Sequence, residues 1–311
     1  MNYIQQAYKG QNNIWIFILT TLLVSGLFII NLIFFFFFGD EIDIMEEQQK
    51  LLELVPSKNF WLAVNLLVFV PLLALLFILV RYAHKRSIMS LTTIREKVDW
   101  GRIFFAFALI AIITIASFGL SYYMDPSEIE LQFDAGKFAV LIIVSLLLFP
   151  VQIGLEEYLF RGYLMQQLGI MVKNKWFPLL VTSVFFGIFH GANPEVGEMG
   201  PVIMVFYIGT GLLLGIMTLM DNGLELALGF HFGNNFLAAT LVTAEWSALQ
   251  TDAIFIYTGE ATQNTIMEIV MPAFIVYPII LMILAWKYKW TNWKEKLFGI
   301  VEVPQEAVPL V

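Results

Sequence analysis

The feature that most constrains this chain is a succession of apolar segments divided by short polar loops. They cover approximately residues 14–38, 60–80, 103–123, 138–158, 177–190, 200–220, 224–243 and 268–286. About 20 apolar residues cross the hydrocarbon core of a bilayer as a helix. In lipid every backbone N–H and C=O must be paired within such a segment. The chain therefore reads as all-α, a polytopic transmembrane helix bundle with about eight spans. Only 14% of its 311 residues are charged and 59% are hydrophobic, against about a quarter charged in soluble domains. That balance excludes a water-soluble globule built on one core. The run Ile14–Phe38 is longer than a signal-peptide core and no small-x-small cleavage site follows it, so it is expected to stay as the first span. Its phenylalanines Phe34 to Phe38 suit a lipid-facing surface.

Loop charge predicts orientation, because lysine and arginine collect on the cytoplasmic side. One set of loops carries Arg81, Lys85, Arg86, Arg95, Lys97 and Arg102, then Lys173 and Lys175, then Lys287, Lys289, Lys294 and Lys296. The alternate set is acidic: Glu41, Asp43, Glu46, Glu47 and Glu53, then Asp125, Glu128, Glu130 and Asp134, then Glu195 and Glu198, then Asp252 and Glu260. The alternation places both termini in the cytoplasm. Trp286, Trp290 and Trp293 suit an interfacial belt at the end of the last span. No basic patch for nucleic acid is present. The absence of cysteine excludes disulfides, thiolate nucleophiles and thiolate metal sites.

The fourth segment breaks the pattern. After Leu155 it carries Glu156, Glu157 and Arg161, then turns apolar again through Met171 with no glycine-proline turn. One helix over about 138–172 explains this, and at 1.5 Å per residue it would be roughly 50 Å long. Its charged cluster would then lie inside the bundle. Of the three histidines, His84 falls in a basic loop and is expected to be solvated, whereas His190 and His231 fall in apolar segments. Ionisable groups at membrane depth are costly and face a bundle interior or a cavity. Glu157 and Arg161 are four apart and can pair on one helix face, Phe186 lies one turn from His190, and His231 and Asn235 share a face. Gly187/Gly191, Gly211/Gly215 and Gly229/Gly233 are spaced for close helix contact. Asn193 and Glu195 read as polar groups of a loop, and Asp221 and Glu225 as residues of a cytoplasmic helix boundary.

These motifs, Glu156-Glu157-xxx-Arg161, Phe186-xxx-His190 and His231-xxx-Asn235, resemble those of the CAAX prenyl protease and bacteriocin-processing family of intramembrane endopeptidases. They occur here in that family's order, within a region of about 137–243. Gly223-Leu224-Glu225-Leu226-Ala227-Leu228-Gly229 also resembles the approach to the third motif. On this basis residues 1–311 form a single integral membrane domain. Residues 137–243 would be the family-like catalytic core, 1–136 three N-terminal spans, and 266–311 the last span and cytoplasmic tail.

The resemblance implies peptide-bond hydrolysis by a glutamate-activated water. Glu156 would be the general base and His190 would share the water. His231 and Asn235 would donate to the oxyanion, with Glu157, Arg161 and Phe186 in support. No cofactor is required on this reading. A zinc ion on Glu156, His190 and His231 is the metal alternative, although no HExxH helix is present. The implied partners are membrane lipid and a membrane-embedded or lipidated peptide, in a prokaryotic inner membrane. Two other classes compete: an ion- or proton-coupled transporter, which would call for a polar path and repeat symmetry, and a non-catalytic immunity or scaffold protein. Depth poses a further demand. His190 lies roughly 20 Å from the start of its segment and His231 only about 12 Å from its own; tilt, a cytoplasmic re-entrant cavity or a helix that begins outside the core would align the two.

Overall fold

The computed structural model describes residues 1–38, 44–260 and 263–305. The expected loop acids Glu41 and Asp43 and the last residues of the tail lie outside the described residues. Every apolar segment is helical. The long elements are α1 (Ile14–Phe38), α3 (Lys58–Ala83), α4 (Trp100–Met124), α5 (Ala135–Val172) and α7 (Pro201–Asp221). Short α2 (Ile44–Glu53) precedes α3, and α6 (Trp176–Ile188) and α8 (Glu225–Thr240) flank α7. The last span is built from α9 (Gln263–Phe274) and α10 (Val276–Tyr288), and α11 (Trp293–Phe298) closes the chain's basic end.

Among the described residues six helices are long and apolar enough to cross a membrane. The other two expected spans, α6 and α8, have 13 and 16 residues, about 20 and 24 Å, short of the ~30 Å core. They can be short because they are walled by protein: α8 lies between α4 and α5, and α6 lies along α7. Glycine permits both contacts. A Cβ on Gly229 would strike the Ile103 carbonyl, and one on Gly211 would lie 2.7 Å from the Ser183 carbonyl. Gly191 has no such role, since its nearest neighbour is its own turn's Ile188 carbonyl. Phe34, Phe36 and Phe37 are exposed to the lipid side as expected; the side chains of Phe35 and Phe38 are outside the described set.

α5 is the predicted single long helix, 38 residues from Ala135 to Val172. Asp134 caps its start by accepting from Lys137 N at 2.9 Å. Lys173, in the left-handed region at φ 55°, ends it. Just after the glutamate pair it widens into a π turn, Tyr158–Leu164, a local geometry that recurs at functional sites.

The loops gather at two ends, as their charges do. At the basic end Arg95 and Arg102 pair with Asp221 at 2.8 and 2.9 Å, Arg95 reaches Glu225 at 3.2 Å, and Lys175 pairs with Glu295 at 2.9 Å. The N-terminal 3-10 helix Ile4–Lys9 is packed into this end, with Tyr3, Ile4 and Ala7 buried. His84 departs from expectation. It is fully buried, with Nδ1 2.9 Å from the Gln11 carbonyl and Nε2 2.9 Å from the Tyr163 hydroxyl. The docked N-terminal segment covers a loop that sequence alone leaves open to water. At the acidic end β1 (Ile129–Leu131), β2 (Val242–Ala244) and β3 (Phe255–Tyr257) form a small sheet in the order β1-β3-β2, antiparallel then parallel.

Candidate active site

The polar cluster is assembled from α5, α6 and α8. Glu157 and Arg161, both fully buried, pair at 2.8 Å along α5. Arg161 also donates to the Gly211 carbonyl at 3.1 Å, and its guanidinium lies 4.3 Å over the Phe186 ring. A buried charge needs such compensation from several sides. His231 reaches the pair from α8: its Nδ1–H donates to Glu157 Oε1 at 2.8 Å. Its other nitrogen, Nε2, lies 3.5 Å from Glu156 Oε2, too far for a good hydrogen bond. Glu156 Oε2 therefore has no hydrogen-bond partner, although it is buried. Glu156 Oε1 accepts from Gln152 Nε2 at 3.1 Å.

His190 sits in the turn beyond α6, where its backbone N–H donates to the Gly187 carbonyl at 2.9 Å. Its ring Nδ1–H donates to the Phe186 carbonyl at 2.7 Å, which leaves Nε2 with the lone pair. The ring stacks on Tyr207 with centroids 4.5 Å apart. Phe186 touches both imidazoles, 4.8 Å from His190 and 5.8 Å from His231. α8 starts beneath a loop. Glu225 is fully buried beneath the loop that carries Thr92, Thr93 and Arg95, and Leu224 N donates to the Thr92 carbonyl at 2.7 Å.

A cavity of about 620 Å³ opens beside this cluster, and its walls include Gln152, Glu156, His190, Glu195, Tyr207 and Asn235. His231 is absent from that wall, because Glu156, Glu157 and Phe186 stand around it. The expectation that His231 and Asn235 present their polar groups to one cavity thus holds for Asn235 alone. Asn235 Nδ2 donates to Gln152 Oε1 at 3.4 Å. Among the described residues no three histidine or acidic side chains are placed to hold a metal ion. Glu156, His190 and His231 do not fit a zinc site as arranged.

Sequence reasoning passed over Gln152, Tyr207 and Glu195. Gln152 carries a signal, being a lone amide four residues before Glu156 in an apolar helix. Glu195 read as a loop group, yet it accepts from Tyr207 Oη and from Asn193 Nδ2 at 3.2 Å, and its second oxygen accepts from Ala248 N at 2.9 Å. Tyr207 gave no signal, since an aromatic residue in a span is ordinarily packing.

A helix bundle with six helices of membrane-spanning length and a buried acid–imidazole cluster defines an integral membrane protein of the polytopic helical class. Residues 136–237 match the protein-family model described as Type II CAAX prenyl endopeptidase Rce1-like, so the resemblance carried by the three motifs holds over this segment. Over 251 residues, 78% of this chain and 83% of the relative, the chain is 27% identical to the uncharacterized protein YyaK of Bacillus subtilis (strain 168). No solved structure matches it. The transporter and scaffold readings draw no support from these similarities.

Proposed function

We propose that the protein is an intramembrane endopeptidase that hydrolyses a peptide bond of a membrane-associated peptide with a water activated by Glu156. The observation that carries this reading is Glu156 on the wall of the 620 Å³ cavity, with one buried oxygen, Oε2, that has no hydrogen-bond partner and lies 3.5 Å from His231 Nε2. A water seated there meets a carboxylate able to take its proton. His190 Nε2, held by the Phe186 carbonyl and the Tyr207 ring, accepts that water's second hydrogen and aims its lone pair at the scissile carbonyl. Asn235 on the same wall offers a donor to the oxyanion that forms.

His231 takes a different role from the one its motif suggests. Its Nδ1–H is committed to Glu157, so its Nε2 faces Glu156 as an acceptor. A proton taken up by Glu156 can then be shared with His231 and returned to the leaving amine. Arg161 is paired with Glu157 in this arrangement, and Glu157 keeps His231 in the required tautomer. The reading is metal-independent and sets the protein in a prokaryotic inner membrane. The test is cleavage of a membrane-associated peptide by the purified protein. Glu156→Gln and His190→Ala are each expected to lower cleavage by about 10²-fold or more, with thermal unfolding of Glu156→Gln close to wild type; full activity in both variants overturns the proposal.

A further inference from the structure

We infer that the site is loaded from the face opposite the basic loops, so that the substrate is a peptide segment displayed at the extracytoplasmic surface of the membrane. This rests on the peptidase reading above and specifies its substrate class.

The cavity takes its walls from one end of the bundle. From α1 it takes Phe28 and Asn31, from the half nearer the acidic end, and from α3 the first turns, Trp61 to Phe69. From α7 it takes Ile203, Phe206 and Tyr207 near its acidic-end start, and from α8 Asn234, Asn235 and Ala238 near its acidic-end finish. The connecting segments between these spans add Gln48 of α2, Asn193, Glu195 and Trp246–Gln250. All of these segments stand at the acidic end. On α5 the wall reaches no deeper than Phe160, about 18 Å short of Val172 at 1.5 Å per residue.

The other end is closed. Below the glutamate pair the buried side chains of Arg161, Tyr163, Leu214 and Met217 fill the bundle. Beneath them the Arg95, Arg102, Asp221 and Glu225 network ties the 84–99 loop across the α7–α8 turn. A polypeptide approaching from the basic end would have to break this ion network and displace buried core. From the acidic end it meets a cavity already open, rimmed by Gln48 of α2, Glu195 and the 246–250 loop. Gln48 Nε2 donates to the Ser247 carbonyl at 3.1 Å, and Ala248 N donates to Glu195.

Charge assigns these ends to sides of the membrane. Arg81, Lys85, Arg86, Arg95, Lys97, Arg102, Lys173, Lys175 and Lys294 all belong to the closed end, and the positive-inside rule makes that end cytoplasmic. The open cavity then faces outward. A lipidated carboxyl-terminal tail displayed in the cytoplasm has no path to Glu156, whereas a membrane-anchored peptide exposed on the outer surface does. Glu198 and Glu245, beside Trp246 in an adjoining cavity of about 480 Å³, make the rim better suited to a neutral or basic peptide than to an acidic one.

The chain's lack of cysteine makes the test direct. Ser247→Cys on the rim and Lys97→Cys in the basic loop are introduced singly into the full-length protein and treated with a membrane-impermeant maleimide. The expected result is labelling of Ser247→Cys at least tenfold faster in intact spheroplasts than in inside-out vesicles, with the reverse for Lys97→Cys. A rim site labelled only in inside-out vesicles, or both sites labelled from one face, overturns the inference. Labelling does not depend on catalysis, so a reversed pattern with hydrolysis intact refutes only the sidedness. The expected pattern with no hydrolysis refutes only the chemistry.

Discussion

His231 donates its Nδ1–H to Glu157 at 2.8 Å, so the carboxylate it grips is the one that does not line the cavity. The two adjacent glutamates are thereby separated in task. Glu157 is locked between His231 and Arg161, while Glu156 lines the cavity and has one oxygen without a hydrogen-bond partner.

That separation has a measurable consequence. Glu156→Gln is expected to lower kcat by about 10²- to 10⁴-fold, the range of a lost general base, with the unfolding temperature close to wild type. Glu157→Gln is expected to lower both, since it weakens two hydrogen bonds inside the bundle. Peptide cleavage and thermal unfolding in detergent, measured on the same preparations, distinguish the two. Equal destabilisation in both variants would contradict the division of roles.

Arg161→Ala should be among the most damaging substitutions in the chain. It leaves Glu157 as a buried carboxylate whose only remaining partner is His231, and breaking a buried pair from one side costs about 3–5 kcal/mol. Arg161→Lys should rescue little, because one ammonium cannot reach Glu157 and the Gly211 carbonyl while also covering the Phe186 ring. Denaturant or thermal unfolding in detergent reads both effects.

Gln152→Leu removes the donor to Glu156 Oε1 without opening a large void. A hydrogen bond to a charged group is worth about 1.5–3 kcal/mol, so kcat should fall roughly ten- to a hundredfold with KM little changed. Asn235→Ala, which removes the proposed oxyanion donor, should lower kcat by about 10²- to 10³-fold. A variant of either residue that changes KM alone would point to substrate binding instead.

Burial lowers the pKa of His84 below its ordinary value, and neighbouring Arg86 adds to the effect while the Gln11 carbonyl opposes it. The unfolded chain therefore binds this proton more readily than the native one. Stability from this group is fully present above pH ~6.5, declines as pH falls below that value, and levels off beneath the lowered native pKa. Thermal unfolding between about pH 5 and 7.5 should show the decline, and His84→Gln, which retains a hydrogen-bonding side chain toward Gln11 and Tyr163, should flatten it.

Metal independence is checked with chelators. Cleavage by the purified protein should survive prolonged treatment with EDTA and 1,10-phenanthroline, and added zinc should give no increase. Loss of activity on chelation with recovery on zinc would require Glu156, His190 and His231 to move together from the positions described.

Much of this molecule is written along the chain because the bilayer and the α-helix impose local rules. Apolar length marks each membrane helix, the unbroken run from 138 to 172 marks one long helix across the glutamate pair, and loop charge sorts the connections into two sets. Glu156, Glu157, Arg161, Phe186, His190, His231 and Asn235 were singled out because their residue types and spacings fall within three short motifs. What depends on distance in sequence could not be read that way. The docking of residues 3–9 buries His84, the α7–α8 turn is roofed by a loop more than 120 residues earlier, and His231 turns toward the glutamates instead of the cavity. Gln152, Tyr207 and Glu195 join the site only because separate helices bring them there. Local periodicity fixes which face of a helix a residue occupies, but only tertiary packing decides what that face meets.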